Sequence, residues 1–195
     1  MYIDAHAHLD KYDSQLPHTI KEIEQYEIFT VSVSMDPEAY AKSKAIDEKT
    51  QWVVSTFGVH PWHAPTYHSQ LEALQPLIDT SPMVGEIGLD YHFVTEPEKH
   101  ALQQDVFVHF VKQGISQNKI LNIHSKGAEA DVDRILRELG ARRVIIHWYS
   151  GPIQHLHALA EKGFYFTVGV EVLFSAAIQR ICQSSAIVSA VDGNR

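Results

Sequence analysis

The sequence is poor in cysteine, in long apolar runs and in positive charge, and each scarcity narrows the class of protein. Cys182 is the only cysteine, so no disulfide can form within the chain, and we expect a reducing, cytoplasmic location. No apolar run approaches the length of a membrane-spanning helix, so we expect no membrane association. Residues 1–6 carry neither a basic start nor an apolar stretch, which argues against a signal peptide.

Acidic residues outnumber basic ones, and the formal net charge is −8. A surface of that sign does not attract nucleic acid over long distances, so binding of long DNA would need local Lys and Arg or bound metal ions. The composition is otherwise that of an ordinary soluble domain, with 45% hydrophobic and 21% charged residues. The length fits one domain over residues 1–195.

Short apolar runs alternate with longer amphipathic segments. We predict eight strands buried on both faces: Tyr2–His6, Phe29–Met35, Trp52–Val59, Val84–Leu89, Ile120–His124, Val144–His147, Phe164–Gly169 and Ala186–Val191. Strands that alternate with helices form a parallel sheet, and eight of them favour a closed (β/α)8 barrel of the TIM type. Helix signals agree, since Asp36 and Pro37 form a typical helix start, and Gly140 and Gly163 stand where helix C-caps belong.

The last predicted strand ends close to residue 195, so we expect the barrel to lack its final helix. Residues 186–191 are apolar on both faces, and the outer face of this strand and of the first strand would then have no helical cover. We expect such a face to cause self-association or to lower stability, and to leave Asp192 loosely held.

Side chains suited to metal binding fall at or near the carboxyl ends of five predicted strands. They are His6, His8, Glu86, His124, His147 and Asp192. His6 and His8 share one face of an extended strand, and Glu86 stands inside an apolar strand, where a carboxylate is costly unless it is paired or metal-bound. Because barrel strands converge at their carboxyl ends, we predict one or two divalent ions there, zinc, manganese or magnesium.

Each of these residues also has a simpler interpretation. A single His-x-His is usually unrelated to metal, and a histidine after an apolar strand is usually a hydrogen-bonded residue of the core or rim. The equivalent placement of all six residues favours the metal site. The histidines in predicted helices and loops are interpreted as structural or surface residues. They are His18, His68, His100, His109, His155 and His157.

Five short motifs follow one another at the strand ends. They are His6-Ala7-His8-Leu9-Asp10, Gly58-Val59-His60-Pro61, Gly85-Glu86-Ile87-Gly88-Leu89-Asp90-Tyr91, Ile123-His124-Ser125 and His147-Trp148-Tyr149-Ser150-Gly151. In order and spacing they resemble the motifs of the TatD family of metal-dependent hydrolases, over nearly the whole chain. The resemblance implies a barrel with one or two divalent metals that hydrolyses phosphodiesters, and several members of the family are deoxyribonucleases.

The resemblance also implies roles for individual residues. Its metal ligands match the six residues found above. Glu86 is interpreted as a bridging ligand and Asp192 as the general base that takes the proton of the attacking water. We expect His60 and Lys126 to contact a substrate phosphate, the alternative being that they are solvated loop residues.

Aromatic residues are predicted near the same mouth. Trp62, Trp148 and Tyr149 would either stack on a base or cap the top of the core. Further rim residues are predicted at His63, Asp90 and Tyr91.

The last motif departs from the family pattern. Family members usually read Glu-Thr-Asp there and continue well past the Asp, whereas residues 190–192 read Ala-Val-Asp. Three functions stay open: a phosphodiesterase acting on DNA or a smaller nucleotide ester, a metal-dependent hydrolase of a small-molecule amide or ester, and a catalytically weak metal-binding homologue. Many related barrels carry a carboxylated lysine on strand four; Glu86 stands at that place, which favours the phosphodiesterase.

Overall fold

A computed structural model describes residues 2–183 and the backbone of residues 190–192. The described strands are β1 (Tyr2–Ala7), β2 (Ile28–Val33), β3 (Val53–Thr56), β4 (Val84–Asp90), β5 (Leu121–Lys126), β6 (Val144–His147), β7 (Tyr165–Val168) and β8 (Ala190–Asp192). The α-helices are α1 (Leu16–Gln25), α2 (Pro37–Asp47), α3 (Ala64–Tyr67), α4 (Gln75–Thr80), α5 (Pro97–Ser116), α6 (Glu129–Leu139), α7 (Ile153–Ala160) and α8 (Ala176–Gln183). Short 3-10 helices cover Leu9–Lys11, Asp13–Gln15, Pro61–His63, His68–Leu74 and Val170–Leu173.

The strands pair in parallel and in chain order. Strands β1 to β3 form one sheet and strands β4 to β8 another. A parallel bridge between Phe57 and Val84 joins the two sheets, and β1 lies beside β8. The described strands therefore close into the TIM-type (β/α)8 barrel that the sequence predicts.

Burial along the strands differs in part from the prediction. All residues of β4 are buried, as expected of a central barrel strand. In β1, however, Tyr2 and Ile3 are exposed, so the prediction of burial on both faces is wrong for the start of this strand. These residues lie at the amino end of the barrel, where the strand emerges from the core. Residues 186–189 of the predicted last strand lie outside the described residues.

The predicted helix signals have the expected geometry. The side chain of Asp36 accepts a hydrogen bond from the Ala39 amide at 2.8 Å, and Pro37 occupies the first position of α2. Gly140 ends α6 in the left-handed region, with φ of 72°, where a residue with a side chain is disfavoured. These caps start and stop the helices so that the next strand can enter the barrel.

The main hydrophobic core lies between the strands and the outer helices. Val106 and Phe110 of α5 belong to the same buried cluster as Val84 and Ile87 of β4. This packing holds β4 in place along its length, and β4 carries Glu86.

Among the described residues, no helix is long and apolar enough to cross a bilayer. The side chains of β8 are not described, so the uncovered outer face and the self-association stay predictions.

Candidate metal centre

The carboxyl ends of the strands open into a cavity of about 380 Å³. The histidines and charged residues that line it are His6, His8, Lys11, His60, Glu86, His124, Lys126, His147 and Glu171. All the sequence-predicted ligands except Asp192 are therefore brought together. The backbone of Asp192 pairs with Val168 at the carboxyl end of β8, and its side chain lies outside the described residues.

His6, His8 and Glu86 form a first group of candidate ligands. The Nε2 atoms of His6 and His8 are 3.4 Å apart, and they lie 3.6 Å and 3.3 Å from Oε2 of Glu86. One ligand atom from each residue lies within 4.8 Å of the other two, which is the spacing of ligands around one ion. His6 and Glu86 are buried, whereas His8 is partly exposed to the cavity.

His60, Glu86 and His124 form a second group. The other carboxylate oxygen, Oε1 of Glu86, lies 3.1 Å from Nδ1 of His124 and 3.7 Å from Nε2 of His60. The two imidazole nitrogens are 3.4 Å apart. Glu86 thus belongs to both groups and turns one oxygen toward each, an arrangement that allows one carboxylate to serve two ions.

Glu86 is held as an anion although it is buried. Burial by itself raises the pKa of this carboxyl, but the imidazoles of His6, His60 and His124 together outweigh that effect and hold the pKa well below its ordinary value. An ionised carboxylate inside a protein is costly without a cation or a set of hydrogen-bond donors. The site therefore keeps a negative charge available where the two groups meet.

A hydrogen bond behind His6 orients its ring. Nδ1 of His6 lies 2.9 Å from Oδ1 of Asn122, and the amide nitrogen of Asn122 donates to the Ala5 carbonyl oxygen at 2.8 Å. Because Asn122 uses its nitrogen on Ala5, its oxygen accepts from His6, and the proton of a neutral His6 ring sits on Nδ1. The lone pair of Nε2 then points toward His8 and Glu86.

His124 lies between two carboxylates. Its Nε2 donates to Oδ2 of Asp90 at 3.1 Å, and its Nδ1 faces Glu86. Burial opposes protonation of this ring, but the hydrogen bonds to Asp90 and Glu86 prevail and raise the pKa of His124 to about 9. A metal ion at Nδ1 would replace that proton, while Asp90 would go on holding Nε2 from behind.

His60 has the opposite orientation. Its Nδ1 accepts the backbone N–H of Trp62 at 3.3 Å, so the proton of the neutral ring sits on Nε2, the atom that faces Glu86 and His124. Burial lowers the pKa of His60 to about 3, so the ring is neutral. His60 has the spacing of a ligand in the second group, but its tautomer makes it a hydrogen-bond donor toward Glu86 and His124.

His147 lies in the cavity against His6. The two rings stack with centroids 3.3 Å apart and an interplanar angle of 9°. Nδ1 of His147 is 3.4 Å from the Thr167 hydroxyl oxygen. Burial, and after it the neighbouring His6, lowers the pKa of His147 well below its ordinary value. The ring is thus neutral, which is the state that a metal ligand requires.

Two lysines line the cavity, one in the turn after β1 and one at the end of β5. Lys126, which the sequence singled out, donates to the Ser150 hydroxyl at 2.8 Å. Lys11, which sequence reasoning missed, donates to the sulfur of Met35 at 2.7 Å. The turn Leu9–Lys11 directly after β1 brings this side chain to the cavity, and the strand pattern alone does not reveal that turn.

The predicted aromatic residues divide between the mouth and the core. Trp62 and Trp148 line the cavity, and Trp148 Nε1 donates to Glu171 at 3.0 Å. Tyr149 is fully buried, and its hydroxyl donates to the Pro152 carbonyl oxygen at 2.7 Å. Its ring is therefore not available to stack on a base. Tyr149 instead caps the core, the alternative that the sequence left open.

Sequence reasoning also missed Asn122 and the contact between Asp90 and His124. One signal was present: Asn122 stands between apolar residues of a buried strand, and a buried amide must find hydrogen-bond partners. Nothing in the sequence, however, showed that one of those partners is His6, 116 residues away. The role of Asp90 likewise depends on the pairing of Gly88 with His124 between β4 and β5.

The donor set fits a divalent metal ion. Within residues 2–183, Oε2 of Glu86 and Nδ1 of His8 are buried and make no hydrogen bond. A buried carboxylate oxygen in that state is unfavourable unless a cation faces it. Imidazole nitrogen and carboxylate oxygen together are the ligands that zinc and related divalent ions take in catalytic sites.

A parallel barrel with histidine–carboxylate groups at the carboxyl ends of its strands defines the class of metal-dependent barrel hydrolases. Within this class, the family model described as "TatD related DNase" matches residues 3–192. The chain therefore belongs to the TatD family of metal-dependent hydrolases.

Several proteins align with most of the length of this chain at low sequence identity. An uncharacterized metal-dependent hydrolase, YabD of Bacillus subtilis, is 28% identical over 189 residues, which is 91% of this chain and 72% of the relative. The human deoxyribonuclease TATDN3 is 22% identical over 204 residues, or 96% of this chain and 74% of the relative. The crystal structure of YJJV, a TatD homolog from Escherichia coli, superposes with a TM-score of 0.82 at 20% identity over 92% of this chain and 73% of that one.

Proposed function

We propose that this protein is a phosphodiesterase that cleaves DNA or a smaller nucleotide ester with the help of divalent metal. The observation that carries the proposal is the position of Glu86. Its two oxygens face two separate groups of imidazoles at the mouth of the barrel. Lys11 and Lys126 line the same cavity and offer positive charge to a phosphate, in a chain whose net charge is −8.

The proposed ligands combine the described groups with the end of β8. They are His6, His8, Glu86, His124, His147 and Asp192. When bound, the metal would supply Lewis-acid polarisation of the phosphoryl oxygen and a water of lowered pKa. The name of the human relative, a deoxyribonuclease, supports a nucleic-acid substrate.

The side chains of this chain would perform the remaining tasks. Asp192 would accept the proton of the attacking water, and Glu86 would stay ionised between the two groups. His60, with its proton on Nε2, and Lys126, with its ammonium group, would donate to the phosphate oxygens. The buried walls of the cavity would strengthen these interactions, because charges attract more strongly where water is excluded.

Metal analysis combined with a substrate panel tests the proposal. The panel contains an aryl phosphodiester, a short oligodeoxynucleotide, an amide and a lactone. We expect phosphodiester cleavage that stops with a chelator and returns with Mn²⁺, Mg²⁺ or Zn²⁺. Glu86→Gln should lower both metal content and turnover, by at least about a hundredfold for turnover, since the amide cannot supply the anionic charge.

Glu138→Gln is the matched control, because Glu138 is an exposed carboxylate on α6 that pairs with Arg134 at 3.1 Å. This variant should retain the metal content and turnover of the unchanged protein. Phosphodiester cleavage that survives exhaustive chelation, or turnover of the amide or lactone alone, would contradict the proposal.

A further inference from the structure

A second cavity lies at the amino end of the barrel, away from the candidate metal centre. Its volume is about 220 Å³, and it is lined by residues at the ends of α5 and α6 and at the starts of β5 and β6. Leu121, the first residue of β5, belongs to this cavity, whereas Lys126, the last, belongs to the metal cavity. The length of that strand separates the two cavities by about 17 Å.

Every charged side chain that lines this second cavity is a cation. The three residues are Lys119, Arg142 and Arg143, and we call the cavity that they line the basic pocket. The chain as a whole has 24 acidic and only 16 basic residues, so three cations without an acidic neighbour in one cavity are a local reversal of its charge. Within residues 2–183, none of the three lies within 4.0 Å of a carboxylate oxygen.

Contacts with helix ends account for two of the cations but not for the third. Lys119 donates to two carbonyl oxygens in α4, and Arg143 donates to the carbonyl oxygen of Asn118 after α5 at 2.7 Å. Such contacts are expected, because the carbonyl groups at a helix C-terminus carry partial negative charge. The side chain of Arg142 makes no hydrogen bond or ion pair within the part of the chain that the structure describes. Its guanidinium therefore keeps all its donors for a ligand.

The basic pocket offers space as well as charge. Gly140 lines it, and a Cβ atom added to Gly140 would meet nothing within 4 Å, so this part of the wall faces open space. Burial lowers the pKa of Lys119 below its ordinary value, because its ammonium is partly withdrawn from water. An anion in the pocket would replace that lost solvation. Two guanidinium groups beside an ammonium group match phosphate, whose oxygens accept from arginine in pairs.

We propose that the basic pocket binds a phosphate-bearing anion at the amino end of the barrel. Three neighbouring cations favour a ligand with several negative charges over a single carboxylate, so the ligand class is a compound with linked phosphate groups. A free polyphosphate and the backbone of a nucleic acid share this chemistry. The site is separate from the metal centre, and its occupation does not depend on the reaction performed there.

Amide chemical shifts measured by NMR test the basic pocket residue by residue. Metal is first removed with a chelator and the chelator is dialysed away, since it is itself a polyanion. Inorganic pyrophosphate is the first probe and a short oligodeoxynucleotide the second. We expect saturable shifts at the amides of Gly140, Arg142 and Arg143, and weaker binding at high salt.

Arg142→Gln is the decisive variant. Because the Arg142 side chain holds no other described residue, its replacement should leave the melting temperature unchanged while it weakens pyrophosphate binding about tenfold. Lys42→Gln is the matched control, since it removes one positive charge from α2, where Lys42 is 57% exposed. This control should bind pyrophosphate as the unchanged protein does.

The two probes also identify the source of the phosphate. An oligodeoxynucleotide that shifts the same amides at lower concentration than pyrophosphate supports the pocket and assigns it to a nucleic-acid backbone. Shifts with pyrophosphate alone support it and assign it to a free polyphosphate. Shifts confined to the amides around Lys11 and Lys126, shifts that do not saturate, or an unchanged affinity in Arg142→Gln would overturn the basic pocket.

Discussion

Asn122 governs the orientation of a candidate ligand although it would touch no metal itself. Its oxygen fixes the Nδ1 proton of His6, and its nitrogen is used by the Ala5 carbonyl. Asn122→Leu keeps a similar volume but removes both contacts. We expect metal affinity to fall about 10- to 100-fold, as measured by competition with a chelating dye, because His6 loses its fixed tautomer.

Asn122→Asp is the matched variant for this prediction. It keeps an oxygen that can accept from His6 but loses the donor to Ala5, so we expect a smaller loss of metal affinity. The prediction is wrong if Asn122→Leu folds with an unchanged melting temperature and binds metal as tightly as the unchanged protein.

His109, on α5 and away from the cavity, predicts a pH effect on stability. Within the described residues its Nε2 is buried without a hydrogen bond, and burial lowers its pKa below the ordinary 6.5. A histidine with a lowered folded-state pKa stabilises the fold above pH 6.5, and that stability is lost as the pH falls below it. We expect His109→Phe to lose less melting temperature than the unchanged protein between about pH 7 and pH 5.

The control for this comparison is Ile115→Val. Ile115 is exposed on the same helix α5 and carries no titratable group, so this substitution should leave the dependence of melting temperature on pH unchanged. Identical pH profiles for His109→Phe and the unchanged protein would show that His109 does not titrate in this range.

At the scale of single elements, the close approach of β4 to β5 requires a glycine at position 88. Gly88 has φ of +152° and pairs with His124 of β5. A Cβ atom there would collide with the carbonyl oxygen of His124. We expect Gly88→Ala to lower the free energy of unfolding by about 2–4 kcal/mol, measured by urea denaturation, and to weaken metal binding because His124 must move.

Gly140→Ala is the comparison for this prediction. Gly140 also has a positive φ, of 72°, but an added Cβ would meet nothing within 4 Å. We expect a loss of only about 1 kcal/mol there and no change in metal affinity. Equal losses in both variants would mean that backbone strain, and not the contact with β5, explains the effect.

The barrel and the positions of the candidate ligands could be predicted from the sequence, whereas the residues that orient those ligands could not. The barrel follows from repeated apolar runs and helix caps, which are local signals. The placement of His6, Glu86 and His124 follows as well, because barrel strands converge at their carboxyl ends. The partners behind these ligands, Asn122 and Asp90, depend on strand register and side-chain geometry, which residue types along the chain do not encode.

At the scale of the whole molecule, the buried site predicts that metal stabilises the fold. A ligand that binds only the native state at about 100 times its Kd contributes about 2.7 kcal/mol, or about 5–10 °C in melting temperature for a domain of this size. We expect this rise on adding Mn²⁺ or Zn²⁺ to chelated protein, measured by calorimetry.

Glu86→Gln should lose most of this shift, and Glu138→Gln should retain it. Because this measurement needs no substrate, it separates the metal centre from the choice of reaction. A melting temperature that does not respond to metal in the unchanged protein would contradict the assignment of the buried groups to a divalent ion.

Asp90 has a consequence for how this barrel can be redesigned. Its two oxygens accept from His124, from the Trp62 indole and from the amides of His92 and Phe93. A replacement loop of another conformation at residues 91–96 would move these backbone amides away from the carboxylate of Asp90, which in turn orients the imidazole of His124. The loop of residues 91–96 and the metal centre therefore depend on each other, and a redesign that moves one of them to another barrel must move both.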